Sequence, residues 1–274
     1  MHTHSQYSVK FDLLRCCVLV PTYNNAATLE RVLLGVMQFT SQIIVINDGS
    51  TDATAEILKR FPQLWVLDLS RNQGKGNALR QGFRKAEELG FDYAISIDSD
   101  GQHYPEDLPV FLGALEQRKE QDLPLLVVGS RKMDGPGVPE KSSFGNRLSS
   151  LWYWVQTGIR LQDTQCGYRL YPIRLVNSLQ LFTSRFELEI EVLVKAALNG
   201  ARVINLPVRV LYDPAERVTH FRPFTDVVRI VLLNMYLVFY ALRIKVSKPI
   251  IKRNPPEVSP SSRTKSPRHQ VPLE

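Results

Sequence analysis

Short apolar runs and longer amphipathic segments alternate along the first half of the chain. The runs are rich in β-branched residues and are bounded by Pro, Gly, Asn or Asp, which is typical of buried strands. Between them, apolar residues recur at every third or fourth position, as on one face of a helix. This alternation predicts an α/β fold whose mostly parallel sheet has helices on both faces. Strands are predicted over residues 16–20, 43–47, 64–69, 93–98 and 125–129, and helices over 28–39, from Ser50 onward, over 75–89 and from Pro105 onward.

The second half of the chain is less regular. A stretch rich in Gly, Pro, Ser and Lys predicts a mobile loop over residues 131–146. After this loop we expect an aromatic helix over 148–155, a helix over 186–199, a strand over 202–210 and a long apolar helix over 225–246.

Both ends of the chain have a polar composition. Such segments bury too little apolar surface to offset the entropy lost on ordering, so we expect a flexible N-terminus over residues 1–12 and a basic, disordered tail over 247–274. The globular domain is therefore predicted to cover residues 13–224, with a first half over 13–130 and a second half over 131–224.

Two carboxylates follow the fourth predicted strand, in Asp98-Ser99-Asp100. In α/β sheets, ligands bind beyond the carboxyl ends of the strands. Two close carboxylates repel each other unless a cation joins them, and Mg²⁺ or Mn²⁺ shared with substrate phosphates is the usual solution. The alternative is that Asp98 caps the strand and Asp100 forms an Asx-turn. For an isolated Asp-x-Asp the alternative would be favoured, but the other strand-end motifs reverse that balance.

Two further motifs lie at strand ends. Asp48 follows the second strand, where it could contact a nucleobase or ribose or could start the next helix; both readings are open. Gly74-Lys75-Gly76 precedes a helix, a position suited to a phosphate or to a close approach of another backbone segment. It matches neither the dinucleotide-binding nor the P-loop pattern.

Taken in order, these motifs resemble the nucleotide-binding half of a family 2 glycosyltransferase of GT-A fold, which has a Rossmann-like sheet. The Asp-x-Asp-x-Gln form is most similar to the branch that uses dolichyl or polyprenyl phosphate. Two positions depart from the pattern: Asn47, where the family often has aspartate, and Asn25, where this branch commonly has glutamate. The matching segments are Val20-Pro21-Thr22-Tyr23-Asn24, Asn47-Asp48-Gly49-Ser50-Thr51-Asp52, Asn72-x-Gly74-Lys75-Gly76 and Asp98-Ser99-Asp100-Gly101-Gln102-His103.

The resemblance implies an inverting transfer of a sugar from a GDP- or UDP-sugar, with Mg²⁺ or Mn²⁺ as cofactor. The residues it implies for the nucleotide sugar are Pro21, Thr22, Tyr23, Asn25, Asp48, Lys75, Asp98, Ser99, Arg131 and Arg222. Those it implies for the metal are Asp98, Asp100, Gln102 and His220. Those it implies for catalysis on the acceptor side are Asp163, Arg147 and Arg169. Asp163 could serve as the base or orient the acceptor, or it could simply pair with Arg169.

The acceptor is expected to be a polyprenyl phosphate or another membrane-located molecule. A phosphate oxygen is already anionic and needs no strong base, whereas a glycan or other hydroxyl acceptor does need one. A nucleotidyltransferase is a further alternative, but it would need a Gly-rich phosphate loop after the first strand, where Thr22-Tyr23-Asn24-Asn25 stands. A non-catalytic membrane or nucleic-acid binder driven by the basic tail is the last alternative.

The net charge of +7 lies mostly in the tail, since residues 245–274 carry seven Lys or Arg and two acids. A basic tail directly after an apolar helix favours an anionic membrane surface over nucleic acid. The uncharged run 230–242 is shorter than the roughly 20 residues that span a bilayer, so we expect an interfacial helix; packing on the protein's own core is the alternative. Three cysteines without a pairing pattern favour a reducing compartment, so the cytoplasmic face of a membrane is expected. The resemblance further implies a role in cell-envelope glycan synthesis.

Overall fold

The computed structural model describes residues 2–119, 122–131, 140–211 and 223–247, and these form a seven-stranded sheet flanked by helices. The strands are β1 (Cys16–Thr22), β2 (Ile43–Asn47), β3 (Trp65–Asp68), β4 (Tyr93–Ser96), β5 (Leu125–Ser130), β6 (Arg169–Pro172) and β7 (Arg202–Pro207). The helices are α1 (His2–Leu13), α2 (Ala26–Met37), α3 (Thr54–Leu58), α4 (Lys75–Glu88), α5 (Leu108–Glu116), α6 (Glu140–Thr157), α7 (Ile173–Ser178), α8 (Glu187–Leu198) and α9 (Pro223–Ser247).

The sheet order is β3-β2-β1-β4-β6-β5-β7. All neighbours are parallel except β6, which runs antiparallel to both β4 and β5. In the register of the parallel strands, Thr22 at the end of β1 lies beside Asn47 at the end of β2. Their carboxyl ends therefore meet at one edge of the sheet, just where β4 also ends. The predicted mostly parallel α/β fold is confirmed.

The central strands are buried along their whole length because helices cover both faces of the sheet. Helix α2 shows how the sequence pattern produces this packing. Its buried residues Leu29, Val32, Leu33 and Val36 recur at helical spacing on one face, as the periodicity predicts.

Strand β6 and helix α7 were not predicted. At four residues, β6 is too short to show a period, and it ends at Pro172. Its antiparallel insertion between β4 and β5 depends on pairing with distant segments. Other boundaries shift as well: β4 ends at Ser96 and β7 at Pro207, earlier than expected, and α6 begins well before residue 148.

The N-terminus differs from the flexible stretch expected over residues 1–12, because α1 occupies most of it. Phe11 is fully buried, and the ring of Tyr7 lies 5.5 Å from that of Phe39. Lys10 Nζ forms an ion pair with Glu116 at 2.8 Å. The side chains of Tyr7, Lys10 and Phe11 thus hold α1 against the domain, although the composition of the segment is mostly polar.

Helix α9 is the long apolar helix that the sequence predicts. One face packs on α6 and α8 and buries Leu233, Asn234, Leu237 and Ala241. Within it, Val227–Ile244 has a mean hydropathy of 1.8 over 18 residues, so length and composition alone would allow it to cross a membrane. The predicted tail from residue 248 onward and residues 132–139 of the predicted loop lie outside the described residues, whereas residues 140–146 of that loop belong to α6.

Candidate active site

A cavity of about 270 Å³ opens at the edge of the sheet where β1, β2 and β4 end. It collects most of the residues that the resemblance implies for the nucleotide sugar and the metal. Arg185 and Phe186, which precede α8, form another part of its wall. The lining residues are Pro21, Thr22, Tyr23, Asn25, Asp48, Asn72, Gly74, Lys75, Ala78, Asp98, Ser99, Asp100, Gln102, Arg185 and Phe186.

Two loops are joined at the cavity rim by Asn25. Its side-chain amide donates a hydrogen bond to Ser99 Oγ at 2.8 Å, and Thr28 Oγ1 donates to the Ser99 carbonyl at 2.6 Å. Asn24 takes a left-handed conformation with φ of 52°, which short polar side chains tolerate. The loop after β1 is thereby held against the loop that carries the two aspartates.

The two aspartates after β4 differ in their electrostatic surroundings. Asp98 Oδ1 lies 2.7 Å from Lys75 Nζ. Burial alone would raise the pKa of Asp98, but the charge of Lys75 outweighs it and lowers the pKa. Burial and the neighbouring charge of Asp98 raise the pKa of Asp100 to about 6, although the Gln102 N–H donates to its carboxylate at 3.0 Å.

Lys75 bridges the two halves of the domain. Its Nζ also lies 3.2 Å from Glu189 Oε2 on α8. Burial opposes its charge, but Asp98 and Glu189 prevail and raise the pKa of Lys75 above its usual value. Gly167 makes this approach possible, because a Cβ there would lie 2.5 Å from Asp98 Oδ2 and 2.8 Å from Lys75 Nζ.

Asp48 shapes the turn in front of α4. Its carboxylate accepts hydrogen bonds from the backbone N–H groups of Gln73 and Gly74, both at 2.8 Å. Burial raises the pKa of Asp48, and these two bonds and the charge of Arg185 oppose the increase. Asp48 does not cap α3, whose N-cap residue is Ala53; the Asp52 carboxylate accepts a hydrogen bond from the N–H of Thr54, the first residue of that helix, at 3.0 Å.

The carboxylate pair suits a divalent cation. In the part of the chain that the structure describes, no group of three or more His, Cys, Asp and Glu side chains is arranged for a metal. Mg²⁺ in nucleotide sites usually takes one or two carboxylates and completes its shell with phosphates and water. Asp98, Asp100 and Gln102 line the same cavity, and burial together with the charge of Asp98 raises the pKa of Asp100, so these oxygen ligands fit such an ion. His220 and Arg222 lie outside the described residues.

His103, next to this motif, is buried under the second half of the domain. Its ring lies 5.2 Å from that of Tyr168, and its Nε2 is 4.0 Å from Cys166 Sγ. Burial lowers the pKa of His103 to about 4, so the ring is neutral near pH 7. Its packing indicates a structural role.

Asp163 is completely buried and is paired with Arg131, whereas the sequence left Arg169 open as its partner. The guanidinium of Arg131 donates to both carboxylate oxygens, at 2.7 and 3.1 Å, and the N–H groups of Gln165 and Cys166 donate as well. Burial alone would raise the pKa of Asp163, but Arg131 outweighs it and holds the pKa below its usual range. Such a carboxylate is a weak base.

Asp163 and Arg131 do not line the cavity, and neither do the two other residues implied for catalysis. Arg169 is buried, and its guanidinium donates to the carbonyls of Cys166, Glu189 and Thr164 at 2.6 to 2.9 Å. Arg147 is exposed on α6. Among the described residues, the cavity lining includes neither of these arginines.

Sequence reasoning missed Arg185 and Phe186 as lining residues and Glu189 as the second partner of Lys75. Arg185 and Phe186 belong to no recognised motif. For Glu189 the available signal is a carboxylate in the first turn of a helix that is otherwise mostly buried.

A known protein family matches the part of the chain that contains these motifs. The family model described as Glycosyl transferase family 2 matches residues 17–172, more than half of the chain. The chain belongs to this family. It is therefore a glycosyltransferase, and the matched region runs from β1 through β6 and contains the carboxylate pair.

Curated relatives belong to the branch that the motifs resemble, which confirms the resemblance. The chain is 27% identical over 207 residues to an undecaprenyl-phosphate mannosyltransferase from Micrococcus luteus, covering 71% of this chain and 83% of that protein. It is 28% identical over 218 residues to a UDP-N-acetylglucosamine–dolichyl-phosphate N-acetylglucosaminyltransferase from Methanococcus voltae, covering 71% and 85%.

Solved structures share the fold. Glucosyl-3-phosphoglycerate synthase from Mycobacterium tuberculosis, in complex with Mn²⁺, UDP and glucosyl-3-phosphoglycerate, matches with a TM-score of 0.61 and 19% identity. The match covers 87% of this chain and 84% of that one. This likeness confirms the predicted GT-A-type fold.

Proposed function

We propose that this glycosyltransferase transfers a sugar, with inversion, from a UDP- or GDP-sugar to a polyprenyl phosphate at a membrane surface. The observation that carries the proposal is the cavity at the carboxyl ends of β1, β2 and β4, where Lys75, Asp98 and Asp100 face the residues that end β1. The names of the curated relatives support the lipid-phosphate acceptor.

The donor would lie across this cavity. Pro21, Thr22, Tyr23 and Asp48 would form its nucleoside end, and Asp98 and Asp100 would face the ribose and diphosphate. A bound Mg²⁺ or Mn²⁺ would neutralise the charge that develops on the departing diphosphate. The solved relative contains both Mn²⁺ and UDP, which supports this assignment. Arg222 and His220 remain candidates for the diphosphate and the metal.

The state of Asp163 favours a phosphate acceptor over a hydroxyl. Its carboxylate accepts hydrogen bonds from Arg131 and from backbone N–H groups, which keep it ionised and weakly basic. A hydroxyl acceptor would have to lose its proton to a base of suitable pKa. A phosphate oxygen carries its charge already, so positioning and electrostatic stabilisation are sufficient.

An apolar face on α6 and α9 supports a membrane location. We define the apolar face as the exposed side chains Phe144, Leu148, Leu151 and Val155 of α6 and Val228, Leu232, Met235, Phe239, Leu242 and Val246 of α9. The two helices are joined by a hydrogen bond from Gln156 Nε2 to Asn234 Oδ1 at 2.9 Å. Large exposed apolar patches mark interaction sites. Together with the basic tail, this face suits peripheral attachment to the cytoplasmic side of an anionic membrane.

The proposal is tested by incubating the full chain with labelled UDP- and GDP-sugars, Mn²⁺ and vesicles that contain polyprenyl phosphate. We expect the label to enter the organic phase, and Asp100→Asn to abolish its transfer, because this variant loses a carboxylate of the metal pair. Lys10→Met, which alters an exposed ion pair far from the cavity, serves as the control.

Other products would contradict the proposal and would indicate a different reaction. Label that stays aqueous and moves to a soluble glycan or small phosphorylated acceptor would indicate a hydroxyl acceptor. Consumption of added inorganic diphosphate, with formation of UTP or GTP and a sugar 1-phosphate from the nucleotide sugar, would indicate a nucleotidyltransferase.

A further inference from the structure

The segment before α8 links the cavity to the C-terminal helix. We call residues 180–186 the wall segment, since its last two residues, Arg185 and Phe186, line the cavity. This segment lies outside every motif that the sequence analysis recognised. Its contacts run in two directions, toward α4 on one side and toward α8 and α9 on the other.

On the α4 side, hydrogen bonds to two of its backbone carbonyls hold the wall segment. The Asn77 N–H donates to the Ser184 carbonyl at 2.8 Å, and Arg80 donates to the Thr183 carbonyl. A Cβ on Gly74 would lie 2.7 Å from the Ser184 carbonyl oxygen. The glycines before and within the first turn of α4 therefore allow a close approach of the wall segment, and any displacement of this segment would alter the cavity.

On the α8 side, Glu191 holds the wall segment. Its fully buried carboxylate accepts hydrogen bonds from the N–H of Phe182 at 3.2 Å, the N–H of Thr183 at 3.0 Å and the hydroxyl of Thr183 at 2.6 Å. Lys195 Nζ lies 2.6 Å from Glu191 Oε1 and donates to the Gln180 carbonyl at 2.6 Å. One buried ion pair therefore fixes both the start and the middle of the segment.

Lys195 also contacts α9. Its Nζ lies 4.8 Å from the ring centroid of Phe182, 5.4 Å from that of Tyr236 and 5.2 Å from that of Tyr240. An ammonium group has three donors, and two of them are directed at oxygen atoms here, so the rings complete its surroundings by cation–π interaction. Asn199 donates to the Tyr240 hydroxyl at 3.2 Å and secures one of these rings. A single cation thus joins the wall segment, α8 and α9.

We propose that Lys195 is a positioning residue for the donor: by fastening α9 to the wall segment, it holds Arg185 and Phe186 in the geometry that binds the nucleotide. This inference rests on the proposed donor cavity and extends it to a residue outside that cavity. The same helix α9 carries part of the apolar face, so contact with a membrane and binding of the donor would be coupled through Lys195.

The test is the affinity of the full chain for UDP and GDP in the presence of Mn²⁺, measured by calorimetry beside the melting temperature of each variant. Lys195→Met is expected to weaken the binding of the preferred nucleotide about tenfold, a size within the range of coupling in such networks. Lys195→Arg keeps the cation and its ring contacts and should restore the affinity to within about threefold of the original. Lys85→Met, which alters a surface pair with Glu88, is the matched control and should leave the affinity unchanged.

A second variant keeps the test decisive if Lys195→Met does not fold. Tyr236→Leu removes one ring and leaves the Glu191–Lys195 pair in place; we expect a threefold or greater increase in the KM for the donor, with a smaller change in kcat. Unchanged nucleotide affinity in Lys195→Met or, if that variant does not fold, an unchanged KM for the donor in Tyr236→Leu would overturn the inference while leaving the proposed function intact. Failure of the unaltered chain to bind any nucleoside diphosphate would overturn both.

Discussion

Replacement of Lys75 by methionine removes the cation between two carboxylates that come from different halves of the domain. Lys75 Nζ lies 2.7 Å from Asp98 and 3.2 Å from Glu189, whose side chains are 23% and 8% exposed. Loss of one partner from a buried pair costs about 3–5 kcal/mol. Because Asp98 is partly solvated, we expect about 2–4 kcal/mol here. In a chain of this size that lowers the melting temperature by roughly 5–15 °C.

Thermal unfolding measures this loss, and Mn²⁺ sharpens the test. A divalent cation beside Asp98 and Asp100 would replace the missing positive charge, so added Mn²⁺ should raise the melting temperature of Lys75→Met more than that of the unaltered chain. Lys10→Met, which breaks an exposed pair with Glu116, controls for the substitution and should cost less than about 1 kcal/mol. If the melting temperature of Lys75→Met is no lower than that of Lys10→Met, Lys75 does not stabilise the protein by neutralising Asp98 and Glu189.

Four further predictions test other parts of the site. The raised pKa of Asp100 means that the metal-free protein loses stability as the pH rises from about 4 through about 6; Asp100→Asn should remove that loss and, in thermal-shift measurements, abolish stabilisation by Mn²⁺. The lowered pKa of His103 means that stability is lost as the pH falls from 6.5 through about 4; urea unfolding at pH 7 and pH 5 should show a smaller difference for His103→Leu. Gly167→Ala should weaken calorimetric nucleotide binding at least tenfold, since its Cβ would displace Asp98, and unchanged binding would refute that packing. Leu232→Ser combined with Phe239→Ser should reduce flotation with anionic vesicles without lowering the melting temperature, and unchanged flotation would remove the apolar face as the attachment surface.

The cavity was predictable because its residues follow from local patterns. Periodicity places β1, β2 and β4, and the register of parallel strands brings their carboxyl ends together. Local patterns alone therefore predict that Thr22, Asp48 and Asp98 lie at one edge of the sheet, and no information on distant contacts is needed.

The second half of the domain was less predictable because its contacts are non-local. The partner of Asp163 is Arg131 at the end of β5, an outcome set by the insertion of β6 between β4 and β5. The sequence offered two readings for Gly74-Lys75-Gly76, a phosphate site or a close backbone approach. The structure has a close approach, made by a segment about one hundred residues away in the chain, and Gly74 and Lys75 also line the cavity, so the phosphate site stays a prediction.

Helix α9 also has a non-local contact that the sequence does not reveal. Asn234 interrupts its apolar pattern in the sequence, but in the structure it is buried and accepts a hydrogen bond from Gln156 on α6. Asn234 therefore marks the face of α9 that packs on the protein, whereas Arg229 and Arg243, which also interrupt the apolar pattern, are exposed.

The central claim, transfer of a sugar to a lipid phosphate, is tested most directly by two matched acceptors. Polyprenyl phosphate and the polyprenol of the same chain length are presented in identical vesicles with Mn²⁺ and the donor that the chain binds. The account predicts that labelled sugar is recovered on the phosphorylated lipid alone. Equal or preferential transfer to the polyprenol hydroxyl would contradict it, because Asp163, the residue implied as base, is buried outside the cavity lining and is held as a weak base by Arg131.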